Sequence, residues 1–167
     1  MINLPPDKIV TVVRAVFRFE NKYLVLEQKN ASGNTYLLFP GGHVNAGESL
    51  TTALNREITE ELNIKSFSQN NIIFIKETKT PFDRAFEYFF ECETKMAISD
   101  IKVLQDKYTG YEKIEKCLLL NQNELKNDKR FFPKNFFARN NYQYLELALD
   151  QYRQLYGNDR NILSLNL

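Results

Sequence analysis

Apolar side chains recur at every second residue, or in short unbroken runs, along six segments of the chain, and this pattern predicts β-strands. The segments are residues 9–19, 23–28, 36–39, 72–78, 85–93 and 115–120. Glu20, Asn21 and Lys22 separate the first two segments by a short turn. The pattern therefore predicts a β-hairpin near the start of the chain.

One longer segment, residues 49–62, has apolar residues at the spacing of an α-helix. One side of this helix carries Leu50, Ala53, Leu54, Ile58 and Leu62. Ser49 is a residue type that caps a first helical turn. Asn63 tolerates the left-handed conformation in which many helices end. We therefore expect the helix to begin after Ser49 and to end before Asn63.

Strands on both sides of this helix, followed by further helices, predict an α/β fold with a mixed β-sheet that is covered on both faces. The further helices are expected at residues 121–127 and 142–156, and residues 99–113 predict a loop. The sequence shows no internal repeat and no linker. Residues 1–167 are therefore expected to form a single domain.

Residues 85–93 alternate between two faces of a strand. One face carries Phe86, Tyr88, Phe90 and Cys92, and the other carries Glu87, Phe89, Glu91 and Glu93. We interpret this as an antiparallel, half-exposed strand whose solvated face bears Glu87 and Glu91. Phe89 does not fit this interpretation, because it is an aromatic residue on the same polar face.

Three glutamates of the first helix, Glu57, Glu60 and Glu61, stand at i, i+3 and i+4, so they are neighbours on its surface. Glu57 and Glu61 project inside the apolar sector, and Glu60 lies at its edge. Carboxylates that face a core cost free energy unless they are paired or bind a metal. The cluster therefore indicates a divalent cation, and a donor set of oxygen atoms suits Mg²⁺, with Mn²⁺ as an alternative.

A turn that contains two glycines, Gly41 and Gly42, follows Pro40 and precedes this helix. Backbone without side chains can approach a ligand closely, and a carbonyl of the turn can supply a further oxygen to the cation. His43, the only histidine of the chain, comes next. It contacts a phosphate, donates a proton or packs within the loop, and we favour packing.

Composition excludes several classes of protein. A formal net charge of +1 over 167 residues provides no broad electrostatic attraction to nucleic acid or to a membrane surface. Cys92 and Cys117 form neither a metal-binding spacing nor a disulfide framework, and no apolar run is long enough to span a bilayer. Residues 1–8 lack an apolar signal region. We therefore expect a cytoplasmic protein without DNA or membrane partners.

Residues 42–64 resemble the Nudix box, whose pattern is Gly-x5-Glu-x7-Arg-Glu-U-x-Glu-Glu-x-Gly-U, where U is a bulky aliphatic residue. The matching positions are Gly42, Glu48, Arg56, Glu57, Ile58, Glu60, Glu61, Leu62 and Ile64. The one departure is Asn63, which stands where the box has its second glycine. This departure is mild, because asparagine can supply the same backbone conformation.

The resemblance implies a Nudix-type α/β/α sandwich and a Mg²⁺-dependent enzyme that hydrolyses a pyrophosphate bond. It implies that three glutamates, Glu57, Glu60 and Glu61, bind the metal. The carbonyl of Gly41 is expected to join them as a ligand, and one of the glutamates is expected to be the general base. Many Nudix enzymes are dimers, so a homodimer is also expected by analogy.

Arg56 and Glu48 resemble the structural pair of the box, in which the arginine orients carboxylates. Whether the pair supports catalysis or is purely structural is open. Family members often recruit a further acid from outside the box. Glu112 and Glu115 lie where such an acid often stands, and we favour Glu112 as a metal ligand. The plain alternative for each of them is a solvent-exposed turn residue.

Substrate contacts are expected from the first strand and from the glycine turn. Arg14 either reaches a substrate phosphate or faces solvent, and the two interpretations are equal. Gly42 and His43 are the candidates in the turn. The stretch of residues 130–140 holds four phenylalanines: Phe131, Phe132, Phe136 and Phe137. We expect these rings to pack in the core or in a dimer contact rather than to stack on a base or close over the site.

These features favour a substrate in which a nucleoside diphosphate is linked to another moiety, of the ADP-ribose, NDP-sugar or nucleoside triphosphate class. One alternative is a Nudix-fold module that binds a nucleotide without hydrolysing it, but all the acids of the box are present. Another alternative is a pyrophosphohydrolase of RNA 5′ ends. The chain lacks the basic stripe that a long anionic partner favours.

Overall fold

The computed structural model describes residues 8–30, 32–79, 83–104 and 112–137, and the helix expected at residues 142–156 lies outside this part of the chain. Its elements are β1 (Lys8–Phe19), β2 (Lys22–Asn30), β3 (Thr35–Leu38), α1 (Leu50–Leu62), β4 (Ser68–Lys79), β5 (Asp83–Glu93), β6 (Glu112–Asn121) and α2 (Gln122–Asn127). A short 3₁₀ turn, Ile98–Asp100, lies between β5 and β6. These strands and helices were predicted, although several of them extend a few residues beyond the predicted ends.

The strands form a mixed six-stranded sheet, as predicted. β1 pairs in parallel with β5, and β5 pairs antiparallel with β4. β2 pairs antiparallel with β6 along its whole length and with β3 over residues 26–29. The predicted hairpin of β1 and β2 is present but short, since only two residue pairs face each other. The earlier part of β1 does not pair with β2. Residues 40–44 form backbone hydrogen bonds with that part of β1 instead.

One face of the sheet packs against α1. β1 contributes Val13, Ala15 and Phe17 to this first core, and α1 contributes Ala53, Leu54, Ile58 and Leu62. The alternate residues of β1 and the apolar sector of α1 meet, because a strand presents every second residue to one face. The apolar sector that the sequence predicted is therefore the buried side of the helix.

The opposite face carries a second core that is built largely from aromatic rings. Phe39 lies at its centre, with ring centroids 5.5 Å from Phe131 and 4.7 Å from Phe136. Phe74 and Phe89 come from β4 and β5. The expectation that the rings of residues 130–140 pack in the core is confirmed for Phe131 and Phe136. The sheet is thus covered on both faces, as predicted.

The expectation that β5 is antiparallel holds only toward β4, because β5 pairs in parallel with β1. Two further expectations about β5 are wrong. The strand is not half-exposed, because it lies between β1 and β4 and its middle residues are covered on both faces. Glu87, which was expected on a solvated face, is only 7% exposed, because that face carries the second core. Phe89 is 1% exposed for the same reason. Glu91, near the end of the strand, is exposed as expected.

Helix α1 begins and ends where the sequence predicted. The Ser49 hydroxyl accepts a hydrogen bond from the Thr52 N–H at 3.1 Å. Asn63 follows the helix with φ 56°, and its N–H donates to the carbonyl of Thr59. The asparagine at the second glycine position of the box therefore adopts the left-handed conformation that glycine favours there.

Both cysteines are free thiols, one buried (Cys92) and one half-buried (Cys117). Burial raises the pKa of Cys92 to about 12 and that of Cys117 to about 11, so both stay protonated at neutral pH. Within the described residues, no helix is both long enough and apolar enough to cross a membrane.

Replacing Phe89 with alanine tests whether the second core supports the sheet. Its ring contacts those of Phe39, Phe74 and Phe136. We expect Phe89→Ala to leave a cavity and to lower the free energy of unfolding by about 3–5 kcal/mol, measured by urea denaturation. Ile73→Ala is the control, because Ile73 is 37% exposed on the neighbouring strand. Equal losses in the two variants would contradict a packed second core.

Candidate active site

Residues 40–44, which we call the glycine turn, are fixed to the side of β1 by backbone hydrogen bonds. The three bonds run from Val13 N–H to Gly42 (2.9 Å), from Ala15 N–H to Pro40 (2.8 Å), and from Val44 N–H to Thr11 (2.9 Å). Helix α1 starts shortly after the turn and packs on the same strand. The turn and the helix are therefore held in a fixed relation to each other.

Both glycines of the turn lie in close contacts, and those of Gly41 exclude a side chain. Gly41 has φ +132°, and a Cβ on it would collide with the carbonyl oxygen of Val13. A Cβ on Gly42 would lie 2.6 Å from the carboxylate of Glu57. The turn therefore presents bare backbone to the first of the three helix glutamates, while the predicted close approach to a ligand stays a prediction.

Arg56 contacts three acidic side chains. Its guanidinium donates two hydrogen bonds of 2.9 Å to the two carboxylate oxygens of Glu48, and one of 2.7 Å to Oε1 of Glu57. A longer contact of 3.4 Å reaches Glu60, and Nη2 donates to the carbonyl of His43 at 2.9 Å. One arginine thus joins the helix, the glycine turn and the loop between them, and offsets part of the repulsion among the carboxylates.

The Arg56–Glu48 pair shifts the pKa of both partners. The hydrogen bond from Arg56, aided by the N–H of Asn45, lowers the pKa of Glu48 from 4.5 to about 2. The hydrogen bond to Glu48 raises the pKa of Arg56, and Glu57 adds to this effect against partial burial. Both groups are therefore charged at neutral pH, and the predicted pair is present.

The three helix glutamates differ in exposure. Glu61 is 6% exposed, and its Oε2 accepts a hydrogen bond of 2.7 Å from the N–H of Gly41. Glu57 is half-buried between Gly42 and Arg56. The side chain of Glu60 is 42% exposed. The cluster extends from the buried turn to solvent, and it agrees with the prediction that Glu57 and Glu61 lie inside the apolar sector and Glu60 at its edge.

Arg14 does not face solvent, so that interpretation is wrong. Its Nη1 donates to the carbonyl of Gly41 at 2.7 Å and to that of Phe39 at 3.3 Å. Its Nε and Nη2 each donate to Oε1 of Glu87 at 3.3 Å. Arg14 therefore contacts the glycine turn from the face of the sheet that carries the second core.

Glu87 is a residue of this site that the sequence analysis missed. It was assigned to a solvated face because it alternates with apolar residues. The signal that it is covered was Phe89 on the same face, since a large aromatic residue is usually buried and a buried carboxylate requires a partner. Its partner, Arg14, lies on β1, and the parallel pairing of β1 with β5 places the two residues on the same face as diagonal neighbours, with Arg14 opposite Phe89 and Glu87 opposite Val12.

The candidate site residues outside α1 differ in their exposure and in their contacts. The backbone of His43 forms a β-bridge with Val12, but the residue is exposed, so the favoured interpretation that it packs within the loop is wrong. Glu115 is exposed and pairs with Lys113 at 3.4 Å, which fits the solvent-exposed alternative. Glu112 is the first residue of β6, and its side chain lies outside the described part of the chain.

The donor atoms of the cluster suit a hard cation. The donors offer only oxygen atoms, around a turn where a Cβ on Gly41 has no room; they are the carboxylates of Glu57, Glu60 and Glu61 and the carbonyl of Gly41. Within the described residues, however, no three acidic, histidine or cysteine side chains converge on one point. Arg56 and the N–H of Gly41 engage part of the donor set. A metal here is therefore a proposal that rests on the chemistry of the donors.

The NUDIX domain family matches residues 7–137 of the chain, which is more than half of its length. The match includes the glycine turn, α1 and the strands that hold them. Among curated proteins, none matches the sequence. The family match is thus the sequence-based finding that bears most directly on what this site does.

Solved structures share the fold. A MutT protein from Methanosarcina mazei Go1 is 20% identical with a TM-score of 0.65, over 86% of this chain and 98% of that chain. A NUDIX hydrolase from Nitrosomonas europaea is 20% identical with a TM-score of 0.58, over 86% and 90%. An ADP compounds hydrolase is 15% identical with a TM-score of 0.50, over 91% and 77%. At such identities the likeness establishes the fold alone.

The Glu48–Arg56 pair is expected to make stability depend on pH in the acid range. Because folding lowers the pKa of Glu48 from 4.5 to about 2, the pair stabilises the fold fully above the unfolded-state pKa. The stabilisation is lost as the pH falls through the folded-state pKa. We therefore expect the difference in unfolding free energy between wild type and Glu48→Gln to be constant near neutral pH and to shrink in acid.

Urea denaturation at a series of pH values measures this difference. Glu115→Gln is the control, because Glu115 is an exposed carboxylate whose replacement should give a small difference at every pH. A difference in unfolding free energy between wild type and Glu48→Gln that stays the same down to about pH 2 would contradict an ion pair in the folded state.

Proposed function

The chain belongs to the NUDIX domain family, and we propose that it is a divalent-metal-dependent hydrolase that cleaves the pyrophosphate bond of a nucleoside diphosphate linked to another moiety. The observation that carries this proposal is the convergence of Glu57 and Glu61 on the glycine turn. Carboxylates gathered against bare backbone repel a phosphate unless a cation lies between them. This arrangement therefore supports a metal-dependent reaction on a phosphate substrate.

Mg²⁺, or Mn²⁺ in its place, would be held by Glu57, Glu60 and Glu61, together with the carbonyl of Gly41. When bound, such an ion polarises a phosphoryl oxygen and lowers the pKa of a bound water. Arg56 would keep Glu57 oriented through its 2.7 Å hydrogen bond, so that less side-chain entropy is lost when the metal binds. The Arg56–Glu48 pair is thus proposed to act by positioning.

One of the three glutamates is proposed to accept a proton from the attacking water. Their different environments support different roles. Glu61 is buried and bonded to the N–H of Gly41, which fixes its orientation. Glu60 is the most exposed of the three, so it can receive a proton and release it to solvent. We therefore assign metal positioning to Glu61 and proton acceptance to Glu60.

The substrate class follows from the family and from charge. ADP-ribose, NDP-sugars and nucleoside triphosphates are the classes that the Nudix resemblance implies. One structural neighbour is described as an ADP compounds hydrolase, and this description is compatible with the proposal. A formal net charge of +1 favours a small nucleotide over a long RNA, which requires an extended basic surface.

A substrate panel with Mg²⁺ tests the proposed reaction. The panel holds ADP-ribose, NDP-sugars, dinucleoside polyphosphates, nucleoside triphosphates and capped RNA, and a coupled phosphatase releases phosphate from the products. We expect turnover of at least one small nucleotide, loss of that turnover with EDTA, and recovery when Mg²⁺ or Mn²⁺ is returned. Stoichiometric nucleotide binding without product, in saturating Mg²⁺, would identify a binding module instead.

Glu61→Gln separates the role of the carboxylate charge from its role in the fold. Glutamine keeps an oxygen that can accept the Gly41 N–H, so we expect Tm to change little. Loss of the charge is expected to lower kcat/KM by about 100-fold or more. Glu91→Gln is the control, because Glu91 is an exposed carboxylate on β5. Full activity in Glu61→Gln would exclude this glutamate from the reaction.

A further inference from the structure

We infer that Arg14 and Glu87 form a positioning pair that fixes the backbone of Gly41 beside the glutamates of the proposed metal site. The inference rests on the proposed function, because it concerns a backbone oxygen that the metal would use. Neither residue belongs to the Nudix box, and both lie on the sheet face opposite α1. The pair therefore extends the site from the box helix to the second core.

Arg14 fastens the glycine turn to the sheet. Its Nη1 bridges the carbonyls of Phe39 and Gly41, which flank Pro40. Its other donors, Nε and Nη2, are directed to Glu87. The side chain of Arg14 is only 13% exposed, so little of the guanidinium is available to a substrate in solution. The geometry thus favours a contact that orients the turn.

Gly41 is held at both of its backbone polar atoms. Its N–H donates to Glu61 at 2.7 Å, and its carbonyl accepts from Arg14 at 2.7 Å. Its φ of +132° and the nearby carbonyl of Val13 exclude a side chain at this position. The two peptide groups that meet at Gly41 are therefore held separately, the N–H by an anion of α1 and the carbonyl by a cation of the second-core face.

Glu87 makes this arrangement compatible with a metal. A guanidinium bonded to the Gly41 oxygen would repel a divalent ion that binds the same oxygen, unless its charge is offset. Glu87 provides that offset from a position that is only 7% exposed, where solvent screens little. Lys76 is paired with Glu87 across β4 and β5, and its ammonium, which lies over the ring of Phe132, is attracted by the Glu87 carboxylate.

Two other roles for the pair make different predictions. A purely structural pair would change the stability of the protein and leave metal affinity unchanged. An Arg14 that binds a substrate phosphate would change the KM for the nucleotide without changing metal affinity. A positioning pair changes the affinity for the metal itself, in the absence of any nucleotide.

A measurement of Mn²⁺ binding to the full chain distinguishes these roles. The EPR signal of free Mn²⁺ reports how much of the ion is bound. Glu87→Gln keeps the size of the side chain and an oxygen for Arg14, but it leaves the guanidinium charge without its offset. We expect the Kd for Mn²⁺ to rise about tenfold or more. Arg14→Met removes a positive charge near the ion but also the hydrogen bonds to the glycine turn, and we expect the lost orientation to outweigh the lost repulsion and to weaken binding. Combining the two changes should cost less than the sum of the single losses, because each residue acts through the other.

Glu77→Gln is the matched control. Glu77 pairs with Arg84 across β4 and β5 at 3.1 Å, so this change weakens an ion pair of the same two strands away from the glycine turn. Its Mn²⁺ affinity is expected to stay within about twofold of wild type. Thermal melting of each metal-free variant shows whether it is folded. If Arg14→Met does not fold, Arg14→Lys replaces it and is expected to give an intermediate loss.

Folded Glu87→Gln and Arg14 variants that bind Mn²⁺ within about twofold of wild type would overturn the inference. A rise in KM alone would then make Arg14 a substrate-binding residue. A wild-type protein that binds no Mn²⁺ contradicts the proposed function together with the inference. Metal binding that responds to Glu61→Gln but not to the pair contradicts the inference alone.

Discussion

Three carboxylates lie close together on one helix, and the rest of the site is arranged to offset their mutual repulsion. Arg56 bonds to Glu57 and contacts Glu60, while the N–H of Gly41 bonds to Glu61. The same guanidinium also holds Glu48 and a carbonyl of the glycine turn. The same contacts therefore offset part of the negative charge of the glutamates and hold the backbone of the glycine turn. A bound metal would offset the remaining negative charge.

The parts of the site that follow from local sequence were predictable. Helical spacing placed Glu57 and Glu61 on the inner side of α1, and residue preferences placed the caps at Ser49 and Asn63, because these features depend on neighbours within a few residues. The glycines of the turn were likewise identified by the close approach that they permit. The general tendency of aromatic residues to be buried placed Phe131 in the core.

The parts that depend on strand pairing were not predictable. Arg14 and Glu87 are 73 residues apart in sequence, and only the parallel register of β1 and β5 brings them together. A single sequence shows which residues alternate along each strand, but it does not show which strands are neighbours. Glu87 was therefore assigned to solvent, and its partner was left with two equal interpretations. The pairing of two strands that are distant in sequence brings these two residues together as a buried ion pair.

The most direct test of the account is hydrolysis in H₂¹⁸O, with Mg²⁺ and a mixture of pyrophosphate-linked nucleotides, followed by mass spectrometry of the phosphate products. The account predicts that one ¹⁸O atom enters a phosphate group of a product and that EDTA prevents this incorporation. Incorporation that persists in EDTA would contradict the metal-dependent site. Intact nucleotides without any ¹⁸O, in a folded protein that binds Mn²⁺, would contradict the proposed reaction.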